Sequence, residues 1–155
     1  MEDGSYIVVG GRNSFDYEIV PPDTTQFQKQ LFGFKFLAET TDKTPDGRPI
    51  ENNLYPFLFL LPDGNTLIFA NNRSIIFEPK TAKVIRELPV LPGGSRCYPS
   101  SGSAVILPLE LGPDNSENVD VTMLVCGGNS HDAFILVDGL KDPQRVFAPA
   151  LQVYT

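Results

Sequence analysis

The chain has 155 residues, with 19 Asp+Glu against 12 Lys+Arg, a formal net charge of −7, one His, two Cys and no Trp. The acidic balance excludes nucleic acid and a polybasic membrane contact as partners, since both demand a basic face. A single imidazole, His131, excludes a metal site that draws two His from this chain.

Hydrophobic residues make up 41% of the chain, enough to bury a core. The longest apolar run, Phe57–Leu61, is far short of the ~20 residues that cross a bilayer. Met1-Glu2-Asp3-Gly4 has neither the basic nor the apolar stretch of a signal peptide, which points to a cytosolic protein or to a true N-terminus further upstream. Ser5–Val9 reads as a strand ending in Gly10-Gly11, and Phe15–Val20 as the next. Within Thr25–Leu37, the alternation of Phe32, Phe34 and Phe36 predicts a strand, with a short helical turn at Thr24–Lys29 as a second option. Thr40–Pro49 is polar and carries Pro and Gly, so a long surface loop is expected. Phe57–Leu61 and Thr66–Ala70 flank Pro62-Asp63-Gly64-Asn65, a strong hairpin signal. Ser74–Phe77, Lys83–Leu88, Ser103–Leu109, Val119–Cys126, Ala133–Val137 and Arg145–Phe147 complete the predicted strands, with a polar loop at Gly112–Asn118. Short strands, frequent turns and no long helical period read as all-β.

A pattern repeats along this order. A Tyr-Pro pair, Tyr55-Pro56 or Tyr98-Pro99, precedes an apolar strand, a turn and a second strand. A pair of small residues follows the second strand: Gly10-Gly11, Asn71-Asn72 or Gly127-Gly128. Third and fourth strands come after each pair. Four antiparallel strands with a Gly-Gly after the second resemble a blade of a kelch-type β-propeller. The expected units are approximately 1–50, 51–92 and 93–155, the first lacking its innermost strand. That gives between two and three blades, whereas closed propellers use roughly 4–8. The expected architecture is therefore a single partial propeller domain whose ring is not closed.

Three stretches carry a closer resemblance. The first is Asp3-Gly4-Ser5-Tyr6-Ile7-Val8-Val9-Gly10-Gly11-Arg12 with Phe15-Asp16-Tyr17-Glu18. The second is Glu51-Asn52-Asn53-Leu54-Tyr55-Pro56-Phe57 with Phe69-Ala70-Asn71-Asn72-Arg73-Ser74. The third is Pro99-Ser100-Ser101-Gly102-Ser103-Ala104-Val105 with Leu107-Pro108-Leu109 and Val125-Cys126-Gly127-Gly128. In this order, over nearly the whole chain, they resemble the plant glyoxal oxidases, within the galactose oxidase-like copper radical oxidases. The resemblance implies a copper held by two His and two Tyr, one Tyr being thioether-linked to a Cys as the radical. It implies oxidation of an aldehyde or primary alcohol with O₂ reduced to hydrogen peroxide, a small aldehyde substrate, and an extracellular or cell-wall location for the full-length family. The family positions of those ligands fall before or after this stretch. The chain is thus expected to be an internal fragment that carries no catalytic, cofactor or metal residue, binds no copper by itself and is inactive alone.

Blade position singles out three residues. Tyr55 and Tyr98 stand at strand starts near the axis, and Arg12 follows Gly10-Gly11; the resemblance makes all three candidate substrate-side contacts at the axial mouth. Packing tyrosines and a solvated arginine are the plainer alternative. Cys97 and Tyr98 hold both parts of a Cys–Tyr cofactor, but neighbours in an extended strand face opposite ways and cannot form that thioether. The sequence leaves open whether Cys97 and Cys126 pair. Asn72-Arg73-Ser74 fits the N-glycosylation pattern at a hairpin, with Asn72 as acceptor. Gly93-Gly94-Ser95-Arg96 opens a strand and lacks the Lys-Ser/Thr of a phosphate loop. His131, in Gly128-Asn129-Ser130-His131-Asp132, reads as a solvated turn residue. The alternative function is a non-catalytic kelch-type module that binds protein or glycan. It would need an exposed aromatic patch, whereas the Phe residues fall inside strand patterns. An open arc should also expose blade edges and self-associate.

Overall fold

The computed structural model describes residues 1, 3–98, 101–110, 119–131, 133 and 149–151. Four small antiparallel sheets and one helical turn make up the described elements, which is the all-β class read from the sequence. A three-stranded sheet is formed by β1 (Tyr6–Val9), β2 (Asp16–Val20) and β3 (Phe32–Gly33), in that order. The helix α1 (Lys35–Glu39) follows, then a two-residue pairing of β4 (Asp42–Lys43) with β5 (Pro49–Ile50). The largest sheet is a four-stranded meander of β6 (Phe57–Leu60), β7 (Thr66–Ala70), β8 (Arg73–Glu78) and β9 (Lys83–Glu87). A last pair joins β10 (Gly102–Ile106) to β11 (Met123–Gly127).

Turn chemistry sets the meander. Pro62 fixes the first central position of the turn after β6, and the Gly64 N–H closes it on the Leu61 carbonyl at 3.0 Å. Between β7 and β8 only Asn71 and Asn72 intervene, with Asn71 in the left-handed region at φ 59, which Asn tolerates better than most residues. Strand β7 is buried along its whole length. Ile68 and Ala70 enter one apolar cluster with Val9, Tyr17, Phe34, Phe36, Leu37, Ile75 and Phe77. Phe69 enters a second cluster with Cys97 and Val125, packed by Phe57, Ala104 and Met123. The meander is thus covered on one face by the three-stranded sheet and α1, and on the other by the β10–β11 pair. A strand buried on both faces needs the continuous apolar run that Thr66–Ala70 supplies.

The structure corrects one expectation and sharpens another. Strand alternation would place Phe32, Phe34 and Phe36 on one face. Only Phe32–Gly33 pairs, against Tyr17 and Asp16, and the chain then turns into α1. The turn swings both Phe34 and Phe36 into the first cluster, where Phe34 meets Phe77 at 5.1 Å between ring centroids and Phe36 lies under the Arg73 guanidinium. Core packing overrides the β-propensity of the run. The second option for that segment survives in small form, as a turn closed by the Phe27 N–H on Thr24 O at 3.2 Å. Thr40–Pro49 is the expected surface segment, with residues 43 and 45–49 exposed, but it is ordered as a short hairpin. Its tip is closed by Thr44 and Arg48 (Arg48 N–H to Thr44 Oγ1, 2.9 Å), and its base buries Thr40 and Ile50.

Elsewhere the bounds shift. The strand expected over Ser103–Leu109 ends at Ile106, and that expected over Val119–Cys126 pairs only from Met123. Gly93–Arg96 opens no strand; Ser95 forms an isolated bridge to Asn129. The strands expected at Ala133–Val137 and Arg145–Phe147 lie outside the described residues, except Ala133, whose N–H closes a turn on Ser130 O at 3.1 Å. Among the described residues no helix is long and apolar enough to cross a membrane.

Candidate functional site

Antiparallel register sends several loops to one end of the sheets. Phe57 pairs with Phe69 and Ala70 with Arg73, so Tyr55-Pro56 lies at the same end as the Asn71-Asn72 turn. Gly102 pairs with Gly127, so Tyr98 lies at the end where β11 finishes. Gly10, after β1, packs on Pro56: a Cβ there would stand 3.2 Å from Pro56 Cδ and 3.3 Å from Leu37 Cδ1, at a φ of +72. Only glycine suits that position. Gly128 is tighter still, since a Cβ would fall 2.1 Å from the Ser95 carbonyl oxygen. The small-residue pairs noted in the sequence let these loops approach each other at a common rim.

Tyr55 and Tyr98 meet at that rim. They form an isolated antiparallel bridge, their ring centroids are 5.4 Å apart at 50°, and each is about half exposed (53% and 50%). Their neighbours Leu54 and Cys97 point inward and are buried. The alternation places the rings outside and the apolar neighbours within. Cys97 Sγ lies 3.6 Å from the Phe69 carbonyl oxygen, and burial pushes its thiol up to about 12. A buried Cys97 beside an exposed Tyr98 ring forms no thioether with it. Cys126 points to the other face of β11 from Val125, and both thiols are free. The sequence left that pairing open.

Arg12 is exposed, on the Gly10–Ser14 turn that Gly10 docks against Pro56. Among the described residues its guanidinium has no hydrogen bond, ion pair or cation–π contact. Asn72 Nδ2, the atom that would carry a glycan, donates one of its two hydrogens to Leu91 O at 3.2 Å.

His131 is not simply solvated. Its Nδ1 lies 3.4 Å from Asp42 Oδ2, although half of the imidazole remains exposed. Asp42 Oδ2 also accepts from Asn52 Nδ2 at 2.7 Å and from Asn71 Nδ2 at 2.9 Å. Asn71 Nδ2 donates further to Thr40 O at 2.8 Å, and Asn53 Nδ2 to Leu37 O at 2.6 Å. Ser95 Oγ donates to Asn52 O at 2.6 Å. One carboxylate thereby ties the β4–β5 hairpin, the β7–β8 turn and the loop after β11 together. Nothing local in the sequence marks Asp42 for this; Asn52 and Asn53, uncharged amides in an otherwise apolar approach to β6, were the visible half of the signal.

No group of three or more His, Cys, Asp or Glu converges among the described residues; the single imidazole lies beside Asp42 through Nδ1, and the two rim tyrosines are tilted against each other.

The chain is an all-β protein of small antiparallel sheets with an aromatic pair at one rim. Residues 1–151 match the family described as "Glyoxal oxidase N-terminus", and the chain belongs to that family. It is 53% identical over 98% of its length to the Artemisia annua protein named "Putative aldehyde oxidase Art an 7". It is 47% identical over 91% of its length to "Aldehyde oxidase GLOX1" of Arabidopsis thaliana, and 41% identical over 87% to "Aldehyde oxidase GLOX" of Vitis pseudoreticulata. The chain covers 25%, 22% and 23% of those three proteins, about a quarter of each. No solved structure matches it.

Proposed function

We propose that the chain is an arc of a kelch-type β-propeller, with units at approximately 1–50, 51–92 and 93–155, from a glyoxal oxidase-like copper radical oxidase. In the whole protein, copper supplies the oxidation of a small aldehyde or primary alcohol with O₂ reduced to hydrogen peroxide. The copper ligands and the Cys–Tyr radical come from outside this chain, which is a scaffold and is inactive alone. Arg12, Tyr55 and Tyr98 face the substrate at the axial mouth. The observation that carries this reading is the Tyr55–Tyr98 bridge, which sets two strand-start tyrosines from successive sheets side by side on one rim. The relatives' names as aldehyde oxidases supply the chemistry.

The open arc has support in the register. The Gly10 N–H donates to Asp16 O, and hydrogen-bonded pairs alternate along an antiparallel ladder, so Ile7 and Val9 turn their backbone groups to the free edge of β1. The outward face beside that edge carries Tyr6 and Val8, 53% and 42% exposed. That edge takes a further strand, and in isolation it drives self-association through exposed blade edges.

The test is copper loading of the 155-residue chain followed by peroxide release on glyoxal or methylglyoxal. No turnover is expected, and turnover by the isolated chain would overturn the reading. On a sizing column the chain should run as more than a monomer; a sharp monomeric peak counts against the open arc.

A second reading, the glycan-binding module, has one observation in its favour. A groove of about 530 Å³ at the outer edge is lined by Tyr17, Phe32, Phe34, Phe77 and Val84, with Tyr17 and Phe32 stacked at 5.3 Å. Binding on a glycan array that a Phe32→Ala change abolishes would favour it.

A further inference from the structure

Arg12 is the exposed cation of the rim, and the residue that follows it is held in place. Asn13 has a φ of 56, the left-handed conformation that Asn adopts more readily than most side-chain-bearing residues and that shapes the turn after Arg12. Within the turn itself the Ser14 N–H donates to Gly11 O at 3.1 Å. The second restraint comes from a distant part of the chain. Glu51 Oε1 accepts the Asn13 N–H at 3.2 Å, with Oε2 at 3.5 Å. A carboxylate is the stronger kind of acceptor for a backbone N–H. Glu51 lies four residues before Tyr55, in the segment on which Gly10 also docks through Pro56. The turn bearing Arg12 is therefore fastened to the tyrosine-bearing segment at two points, one steric and one electrostatic, while the Arg12 side chain is left without a polar partner among the described residues.

We propose that Glu51 is a positioning residue for Arg12: it fixes the Gly10–Ser14 turn so that the guanidinium is held over the rim shared with Tyr55 and Tyr98, ready for an oxygen-bearing small ligand. Fixing the backbone beforehand lowers the entropy that a long side chain loses on binding. This rests on the reading of Arg12 as a substrate contact, and the experiment separates the two.

The full chain, labelled with ¹⁵N, is compared with Glu51→Ala and Glu51→Gln. Glu51→Ala should speed amide exchange at Asn13 by about tenfold or more and shorten the order of the Arg12 Nε signal. Glu51→Gln keeps an acceptor oxygen and should restore both to within about threefold of the parent. Glycolate, an unreactive two-carbon hydroxy-acid, is then titrated while the Arg12, Tyr55 and Tyr98 signals are followed. The dissociation constant should rise about threefold to tenfold in Glu51→Ala and recover in Glu51→Gln. Unchanged exchange at Asn13 in Glu51→Ala overturns the proposal, as does equal glycolate affinity in the parent and Glu51→Ala. Failure of the parent to bind glycolate overturns the rim reading instead, and the Asn13 and Arg12 signals still decide the role of Glu51.

Discussion

Replacing Asp42 by Ala isolates the polar tie between the rim loops. The change removes the acceptor of one N–H from each of two amides, Asn52 and Asn71, which are 2% and 3% exposed. An orphaned buried donor costs about 1–3 kcal/mol. Asn71 keeps its bond to Thr40 O, and Asn52 keeps a long one to His131 O at 3.4 Å, so each amide loses part of its bonding and not all of it. The Asp42 side chain is itself about one-fifth exposed, which lets water reach the gap. The expected loss is about 2–4 kcal/mol, at the lower end of two full penalties. His131→Ala, which removes a half-exposed partner of the same carboxylate, should cost under about 1 kcal/mol. Urea unfolding of the three proteins, followed by far-ultraviolet circular dichroism, reads both numbers. In a chain of this length a loss of that size lowers Tm by roughly 4–16 °C. If Asp42→Ala lies within about 0.5 kcal/mol of the parent, the two amides have other acceptors and the carboxylate is not the tie.

Further outcomes follow from the same geometry. Iodoacetamide at pH 8 should label Cys126 in the folded chain and reach Cys97 only with urea, because the Cys97 thiol is fully buried and its titration is pushed up to about 12; mass spectrometry of the peptides checks this, and rapid native labelling of Cys97 would refute it. The same shift has a sign for stability: the folded state keeps the Cys97 proton that the unfolded chain gives up near its ordinary value of 9.0, so stability falls as pH rises from about 9 towards 12. Cys97→Ala should flatten that fall, by up to about 1.4 kcal/mol per pH unit. Gly128→Ala places a methyl 2.1 Å from the Ser95 carbonyl oxygen at a φ of +85 and should destabilise far more than Gly47→Ala, where nothing lies within 4 Å; paired thermal melts compare them. Phe77→Ala empties the centre of the cluster shared by Tyr17 and Phe34, at a cost of about 3–5 kcal/mol in urea unfolding.

What the sequence made legible was local. The meander β6–β9 is written in its turns: Pro62 and Gly64 for one, Asn71-Asn72 for the next, each followed by a strand whose apolar residues have nowhere to go but a core. Tyr55 and Tyr98 were found by their repeated position before a strand, and the structure sets them in contact. What was missed depends on contacts distant in sequence. The alternation of Phe32, Phe34 and Phe36 is a genuine strand signal; it loses to the tertiary gain of bringing Phe34 and Phe36 into the cluster with Phe77. His131 and Asp42 are 89 residues apart, and Glu51 and Asn13 are 38 apart. A polar residue in a Pro/Gly-bearing stretch such as Thr40–Pro49 looks the same in sequence whether its carboxylate faces water or three donors.

The rim shows why the two kinds of signal belong together. Backbone segments can meet there only where Cβ atoms are absent, at Gly10 against Pro56 and at Gly128 against Ser95. Such close approach buries polar backbone and amide groups at the loop ends, and buried polar groups must be paired. Asp42, Asn52, Asn53 and Ser95 supply those partners. The glycine pairs that mark the repeats in the sequence thus create the demand for the polar ties that the sequence does not mark. The tyrosines and Arg12 are left on the outside of a rim already fastened from beneath. A rim tied from beneath through Asp42, with Asn71 Oδ1 the buried amide oxygen left unpaired, presents Tyr55, Tyr98 and Arg12 outward; under the proposed reading, that outward set serves a reacting centre completed by residues from elsewhere in the protein.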